Sequence, residues 1–162
     1  EQLHILVAQL ESESYEQYEV SNFSLPGYHS KHNSNYWKNK RYLGVGPSAH
    51  SYNGLSRQYN INNNHLYLSS LKTRKIPATC EILTREDKLN EYLLTSLRTA
   101  WGANLTFLRE EFGFDLENTH EEYVRILKER RLATINNNTL VLTKTGFLLA
   151  DKIASDFFVV KS

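Results

Sequence analysis

The sequence predicts an α+β protein in which the end of an α/β segment, over residues 1–80, is followed by a winged-helix-like domain over residues 81–162. Three observations lead to this prediction. An apolar helical stripe at the start precedes two short strand-like runs, as at the end of an α/β unit. Three successive helical patterns follow residue 83. An Asn-rich turn between two β-like runs then predicts a hairpin, and a last helix closes the chain.

The first segment begins with a helix over residues 3–14, because apolar side chains recur at i, i+3, i+4 and i+7. These side chains are Leu3, Leu6, Val7 and Leu10. Residues 18–20 predict a short strand and residues 41–46 a buried one. Residues 29–40 lie between them and show neither helical nor strand periodicity, so they predict an ordered loop. A short helix over residues 66–71 ends before Pro77, and we place the domain boundary between residues 76 and 83.

Caps and periodicity predict the elements of the second domain. Thr84 is a predicted N-cap for a helix that continues to Gly102, and Asn104 caps a second helix that ends at Gly113. The inner face of the first helix comprises Leu89, Tyr92, Leu93, Leu97 and Ala100. A third helix covers residues 120–131, with Tyr123, Ile126 and Leu127 inward. Strands over 132–135 and 139–142 form the hairpin, and a final helix covers 143–157.

Charge is distributed unevenly along the chain. No Asp or Glu occurs between Val20 and Cys80, whereas eight Lys and Arg residues do, although the net charge of the whole chain is only +1. Such a one-sided stretch creates a positive local field that favours an anionic ligand, or it is an ordinary basic surface. Residues 104–158 instead carry a slight negative charge, because they include seven basic and nine acidic residues. That balance argues against DNA binding, which depends on neutralising phosphates.

Composition excludes several other classes. Cys80 is the single cysteine, so no internal disulfide can form. No apolar run reaches membrane-spanning length, and no signal-peptide pattern is present. The chain has no methionine and starts within a helical pattern, from which we expect a piece of a longer protein.

Gly44, Gly46 and Ala49 only superficially match a dinucleotide fingerprint. Asn53 and Gly54 interrupt any following helix, and no acidic residue stands about 20 positions later to bind a ribose. Glycines at a strand end more simply allow a close backbone approach. We therefore reject a Rossmann site.

Three of the histidines in the basic stretch, at positions 29, 32 and 50, could suggest a metal cluster, but their spacing fits no standard zinc pattern. No acidic residue is present to orient His50 in a catalytic triad. His32 is the strongest candidate, because neutral imidazole ligates haem iron. Tyr36 and Trp37 are flat rings that suit a porphyrin face. The basic side chains that can pair with propionates are Lys38, Lys40 and Arg41.

At these positions the sequence resembles a known family. The carrying motifs are Tyr-Glu-Val-Ser-Asn-Phe from residue 18, Pro-Gly-Tyr from residue 26, His-Asn-x-x-Tyr-Trp from residue 32 and Tyr-Leu-Gly-Val-Gly-Pro-x-Ala-His-Ser from residue 42. In this order they resemble the radical-SAM family of oxygen-independent coproporphyrinogen III oxidase-like proteins (HemN and HemW). The His-Asn-x-x-Tyr-Trp element is similar to the HemW-type haem chaperones. Ser48 and Leu25 depart from the family pattern, which often has glycine and lysine there.

The resemblance implies a partial TIM-type barrel that binds S-adenosylmethionine and a [4Fe–4S] cluster, followed by the family's C-terminal domain. The family's Cys-x3-Cys-x2-Cys cluster motif is absent here, so the resemblance implies that this chain holds neither the cluster nor the radical chemistry. It implies that His32 ligates haem iron, with Asn33, Tyr36 and Trp37 shaping its loop. It also implies that Gly44, Gly46 and His50 lie near the S-adenosylmethionine pocket.

Three functions follow as alternatives. The first is the C-terminal portion of a cytoplasmic haem chaperone that hands haem to acceptor proteins, with membrane association of the full-length protein left open. The second is part of a coproporphyrinogen oxidase, with this chain alone inactive. The third is a winged-helix interaction module without a small ligand. Apolar surface exposed by missing barrel strands would favour dimerisation.

Overall fold

The computed structural model describes residues 2–160, and for Leu3 and His4 it describes the backbone alone. These residues form two compact units. A larger unit comprises residues 2–38 and 85–160, and a smaller unit comprises residues 39–84. Each unit is considered by itself below. The predicted division into domains 1–80 and 81–162 stays a prediction.

The larger unit contains eight of the nine helices described within residues 2–160. Its helices are α1 (Gln2–Ser12), α2 (Lys31–Trp37), α4 (Arg85–Leu97), α5 (Leu105–Phe112), α6 (Leu116–Thr119), α7 (Glu121–Glu129), α8 (Lys144–Phe147) and α9 (Ala150–Asp156), with α3 (Asn64–Lys72) in the smaller unit. Its strands are β1 (Glu16–Glu19), β2 (Asn22–Ser24), β6 (Ala103–Asn104), β7 (Ala133–Asn136) and β8 (Thr139–Leu142). The smaller unit holds β3 (His50–Tyr52), β4 (Ser56–Asn60) and β5 (Ala78–Ile82).

The apolar core of the larger unit lies between α4, the other C-terminal helices and a three-stranded sheet of order β6-β8-β7. Leu89, Leu93 and Leu97 are buried on one face of α4, at the i, i+4, i+8 spacing of a helix. As predicted, the Asn104 side chain accepts the Phe107 N–H at the start of α5, and Gly113 ends α5 in the left-handed conformation. These local choices fix where the core helices begin and end.

The predicted hairpin is confirmed. β7 and β8 pair antiparallel from Ala133 opposite Leu142 to Asn136 opposite Thr139. The two turn residues, Asn137 and Asn138, have φ of +47° and +59°, which asparagine tolerates better than most residues. β8 also pairs with β6, so the hairpin is joined to the segment between α4 and α5.

One of the predicted helices is divided, and another is preceded by a short helix that was not predicted. The helix predicted over residues 120–131 is preceded by the short α6, and its buried side chains are Val124 and Leu127, whereas Ile126 is only partly buried. The helix predicted over residues 143–157 is divided into α8 and α9. Thr143 caps α8 by accepting the Gly146 N–H, and the break follows Phe147.

The N-terminal part of the larger unit contains one correction. The predicted helix α1 and strand β1 are present, with Val7 and Leu10 partly buried and the side chain of Leu3 outside the described residues. The loop predicted over residues 29–40 is wrong, because α2 occupies its centre. The Ser30 side chain caps α2 by accepting the Asn33 N–H, a local contact that hydrophobic periodicity does not reveal.

The smaller unit is a three-stranded antiparallel sheet of order β3-β4-β5, with the helix α3 between β4 and β5. The buried strand predicted over residues 41–46 is wrong. Only Tyr42 pairs there, through an isolated bridge to Tyr52, and Leu43 and Val45 are both 82% exposed. Within residues 2–160, none of the described helices is long and apolar enough to cross a membrane.

Candidate functional site

The helix α2 carries the His-Asn-x-x-Tyr-Trp motif and presents it on two faces. His32 and Tyr36 are four residues apart, which places them on one side of the helix, and both are exposed. Asn33 and Trp37 have the same spacing on the adjacent side and are partly buried. The motif therefore divides into an outer face, His32 and Tyr36, and an inner face, Asn33 and Trp37.

The inner face is tied to a buried carboxylate through one bridging amide. Asn33 Nδ2 donates to Asn22 Oδ1 at 2.9 Å, and Asn22 Nδ2 in turn donates to Glu19 Oε2. The Ser21 N–H donates to the same Glu19 oxygen at 2.9 Å. Glu19 is fully buried at the end of β1. Side-chain hydrogen bonds thus connect α2, which carries the motif, to Asn22 on β2 and through it to Glu19 on β1.

Arg98 supplies the charge that this buried carboxylate requires. Its Nη2 and Nε lie 2.9 and 3.2 Å from Glu19 Oε1, and its Nη1 bonds Asp151 at the start of α9. Burial alone would lower the pKa of Arg98. The hydrogen bonds and charges of Asp151 and Glu19 outweigh burial and raise that pKa above its usual value. Arg98 therefore stays charged while it holds Glu19.

Backbone bonds fix the same junction. The Val20 N–H donates to the Arg98 carbonyl at 3.0 Å, and the Ala100 N–H donates to the Tyr18 carbonyl at 3.0 Å. These bonds join the end of β1 to the segment that follows α4. The Glu19–Arg98 pair consequently sits on two backbone segments that are themselves held together.

Aromatic contacts complete the inner side of the site. The Arg98 guanidinium lies 5.3 Å from the centre of the Trp37 ring, and Lys38 Nζ lies 4.4 Å from the centre of the Trp101 ring. Such cation–π contacts orient the ring and the cation together. Tyr36 meets Trp37 edge-on at 5.2 Å between ring centres. Trp37 and Lys38 are therefore engaged with the protein itself.

The structure brings five of the predicted site residues together in or beside α2. These are His32, Asn33, Tyr36, Trp37 and Lys38. The other five belong to the smaller unit: Lys40, Arg41, Gly44, Gly46 and His50.

Local geometry accounts for the two glycines of the predicted site, because Gly44 makes a close backbone approach and Gly46 has a φ of +105°. The Gly44 N–H donates to Ser51 Oγ, and a Cβ at Gly44 would meet the His50 carbonyl oxygen at 2.1 Å. The Gly46 N–H donates to Tyr67 Oη. Proximity of Gly44, Gly46 and His50 to an S-adenosylmethionine pocket stays a prediction.

Sequence reasoning did not assign a role to Glu19, Asn22 or Arg98. The one available indication was the position of Glu19, an acidic residue in a strand-like run directly before 61 residues without Asp or Glu. Its partner Arg98 is 79 positions away in the sequence, a separation that no local pattern spans.

The donor atoms of the site suit some ligands and exclude others. The exposed imidazole of His32 fits a porphyrin iron, which takes one axial nitrogen from a protein. An iron–sulfur cluster does not fit, because Cys80 is the single cysteine of the chain. Within residues 2–160, no group of three or more His, Cys, Asp or Glu side chains could hold a metal ion.

The chain is similar in sequence and in fold to known proteins. Residues 83–149 match the family model described as the HemN C-terminal domain. A solved structure described as coproporphyrinogen III oxidase (HemN) from Escherichia coli, a radical SAM enzyme, matches with a TM-score of 0.75 and 17% sequence identity. The match covers 97% of this chain and 40% of that one. At this identity the likeness shows the fold, a mixed α and β arrangement as predicted.

Sequence comparison gives several relatives with names. The chain is 30% identical to heme chaperone HemW of Bacillus subtilis (strain 168) over 97% of its length, and 31% identical to that of Lactococcus lactis subsp. lactis (strain IL1403) over 93%. It spans 42% and 39% of these two relatives. It is also similar to radical S-adenosyl methionine domain-containing protein 1, mitochondrial, of Dictyostelium discoideum, at 29% identity. These matches confirm the resemblance to HemN and HemW proteins seen in the motifs of the chain.

Proposed function

We propose that this chain forms the C-terminal portion of a haem chaperone, in which His32 binds haem that is later handed to acceptor proteins. The observation that carries the proposal is the exposed imidazole of His32 on the outer face of an anchored helix. The names of the relatives support it, because proteins 30 and 31% identical to this chain are called heme chaperones. Haem is here the cargo of the protein.

The chemistry of the outer face suits reversible binding. A neutral imidazole donates its nitrogen lone pair to haem iron, and the half-exposed ring of Tyr36 offers a flat apolar surface beside it. No carboxylate occurs in α2, so the helix itself adds no negative charge that would repel the haem propionates. In this proposal His32 is the ligand that an acceptor must displace.

The finer fold assignment is also a proposal. We assign the described part of residues 81–162 to a winged-helix-like domain, supported by the order α4, β6, α5, α6 and α7, then the β7–β8 hairpin. We assign residues 1–80 to the end of a partial TIM-type barrel, supported by the succession of α1 and β1. All strand pairs described within residues 2–160 are antiparallel, so parallel neighbours for β1 would have to come from outside this chain. The [4Fe–4S] cluster and S-adenosylmethionine would likewise be held outside it.

A haem titration followed by absorbance tests the proposal, with His32→Ala and His65→Ala compared in parallel. His65 is a matched control because it is also exposed and is also the second residue of a capped helix. We expect a Soret shift that saturates near one equivalent in the wild type and in His65→Ala. Loss of the single axial ligand should weaken binding in His32→Ala by about tenfold or more, the factor that corresponds to roughly 1.4 kcal/mol.

Two results would contradict the proposal. Equal affinity in wild type and His32→Ala would remove His32 as the ligand. Equal loss in His32→Ala and His65→Ala would show that any exposed histidine on a helix binds haem unspecifically.

The second candidate function is a coproporphyrinogen oxidase activity, favoured by the fold likeness to the Escherichia coli enzyme. An assay of S-adenosylmethionine-dependent decarboxylation, on the full-length protein with a reconstituted cluster, separates the two candidates. Product formation would support the oxidase, whereas haem binding without product would support the chaperone.

A further inference from the structure

The helix α2 is too short to keep its own orientation. It has seven residues, fewer than isolated helices need for stability in water, and none of them is buried. Its conformation therefore depends on the Ser30 cap and on the contacts of its inner face. Those contacts are the Asn33–Asn22 hydrogen bond and the stacking of Arg98 on Trp37.

Both contacts lead to the buried carboxylate of Glu19. Its two oxygens accept bonds from the Ser21 N–H, from Asn22 Nδ2 and from two nitrogens of Arg98. A fully buried carboxylate is tolerated only when it is paired and hydrogen-bonded in this way. Because the side chains of Asn22 and Arg98 both donate hydrogen bonds to Glu19, the buried carboxylate fixes the orientation of both.

We propose that Glu19, Asn22 and Arg98 are positioning residues for His32, acting through the inner face of α2. The inference rests on the proposed function and deepens it. It also divides the predicted haem residues by role: His32 and Tyr36 face the ligand, whereas Asn33 and Trp37 hold the helix. A helix held on one face presents its opposite imidazole in a single direction, and this lowers the entropy lost when haem binds.

Asn22→Ala is the variant that tests this most directly. It removes the bridging amide but leaves Glu19 bonded to Arg98 and to the Ser21 N–H. Asp151→Asn is the matched control, because Asp151 also bonds Arg98 but is 70% exposed and has no described bond to α2. Both variants are titrated with haem, together with wild type and His32→Ala.

We expect Asn22→Ala to weaken haem binding by about tenfold, as the loss of two hydrogen bonds of ordinary strength implies. Asp151→Asn should stay within about twofold of wild type, since exposed ion pairs contribute little. In the haem-free protein, amide hydrogens of residues 31–38 should exchange faster in Asn22→Ala and at the wild-type rate in Asp151→Asn. The exchange measurement reports on α2 without any ligand.

A double-mutant cycle separates positioning from general destabilisation. If Asn22 acts through His32, then Asn22→Ala has no further effect on the residual affinity of His32→Ala. An equal loss in both backgrounds would overturn the inference and leave only a structural role. Asn33→Ala cuts the same link from the side of α2 and serves as the second variant should Asn22→Ala fold poorly.

The remaining outcomes distinguish the inference from the function beneath it. Wild-type affinity in Asn22→Ala together with lost binding in His32→Ala would overturn the positioning role and leave the haem site intact. Weakened binding in Asn33→Ala with wild-type binding in Asn22→Ala would make Asn33 a direct haem contact. Wild-type binding in His32→Ala would overturn both the positioning inference and the proposed haem-binding function.

Discussion

The larger and the smaller unit are stabilised in different ways. The apolar core cluster lies entirely within residues 85–160, where Leu93, Leu97 and Phe157 have no solvent exposure at all. In the smaller unit, the described residues classed as buried are Asn60 and Leu83, and its strands are joined by ladder hydrogen bonds. Apolar burial is the dominant favourable contribution to folding. The difference indicates that unfolding stability resides in the larger unit.

The candidate site follows the same division. The helix α2, with its outer face of His32 and Tyr36, is anchored to the core-bearing unit through Arg98 and Glu19. A ligand group held by the stable unit keeps its direction, whereas residues on a sparsely packed sheet can adjust. Variants that make the same chemical change in each unit test this comparison.

The largest difference is expected for leucine truncation. Leu97→Ala creates a cavity at a position with 0% exposure and should lower the free energy of unfolding by about 3–4 kcal/mol. Leu43→Ala removes a side chain that is 82% exposed and should change it by less than about 0.5 kcal/mol. Urea unfolding followed by helical circular dichroism measures both. A loss above about 1 kcal/mol for Leu43→Ala would refute the comparison, because surface truncations rarely reach that value.

A steric clash of equal severity in each unit sharpens the comparison. A Cβ at Gly146 would meet the Leu132 carbonyl oxygen at 2.0 Å, and a Cβ at Gly44 would meet that of His50 at 2.1 Å. Gly146 is buried in the packed unit, so Gly146→Ala should cost about 2–3 kcal/mol.

Gly44→Ala serves as the counterpart, and the His50 backbone that its Cβ would meet belongs to the sparsely packed sheet. We expect a change of less than about 1 kcal/mol in the main unfolding transition, but faster hydrogen exchange at Tyr42 and Tyr52. These two residues exchange backbone bonds of 2.9 Å across the strained segment. Equal costs for the two substitutions would show that the smaller unit is as rigid as the larger.

The same contrast decides which elements could be predicted from sequence. The helices α4 and α5 and the β7–β8 hairpin were predicted because their caps, turns and apolar periods are local. The strand β4, Ser-Arg-Gln-Tyr-Asn, has no apolar alternation because it buries little, and it was missed. Hydrophobic periodicity reports burial, so it fails where strands are held by hydrogen bonds alone.

The residues of the candidate site could be selected from the sequence, but their arrangement could not. His32 and Tyr36 were selected from residue type, and the resemblance pointed to the same motif. The helix α2 was missed because neither of its faces has a repeated apolar stripe and its order comes from tertiary contacts. The role of Glu19 could not be predicted, since only the fold brings Arg98 to it.

Helix caps give a third pair of variants with a smaller effect. Asn104→Ala removes the cap of α5 in the core-bearing unit and should cost about 1 kcal/mol of global stability. Asn63→Ala removes the same bond from α3, whose residues include none that is buried. There we expect faster exchange of the Leu66 amide without a change in the main transition. A matching global loss for Asn63→Ala would show that α3 unfolds together with the core.

The smallest effect concerns pH and again depends on the dry core of the larger unit. Burial beside the rings of Phe114 and Phe157 lowers the pKa of His120 from its usual value of 6.5. The unfolded chain therefore binds a proton at His120 more readily than the folded chain. The contribution of His120 to stability is complete above pH 6.5 and is lost progressively as the pH falls toward the lowered pKa.

Unfolding free energies of wild type and of His120→Gln, measured between pH 8 and pH 5, should have parallel slopes in the upper part of this range. Below about pH 6.5 the wild type should lose stability more steeply, because glutamine does not titrate. Identical slopes throughout would mean that water reaches His120 and that this edge of the core is as open as the smaller unit.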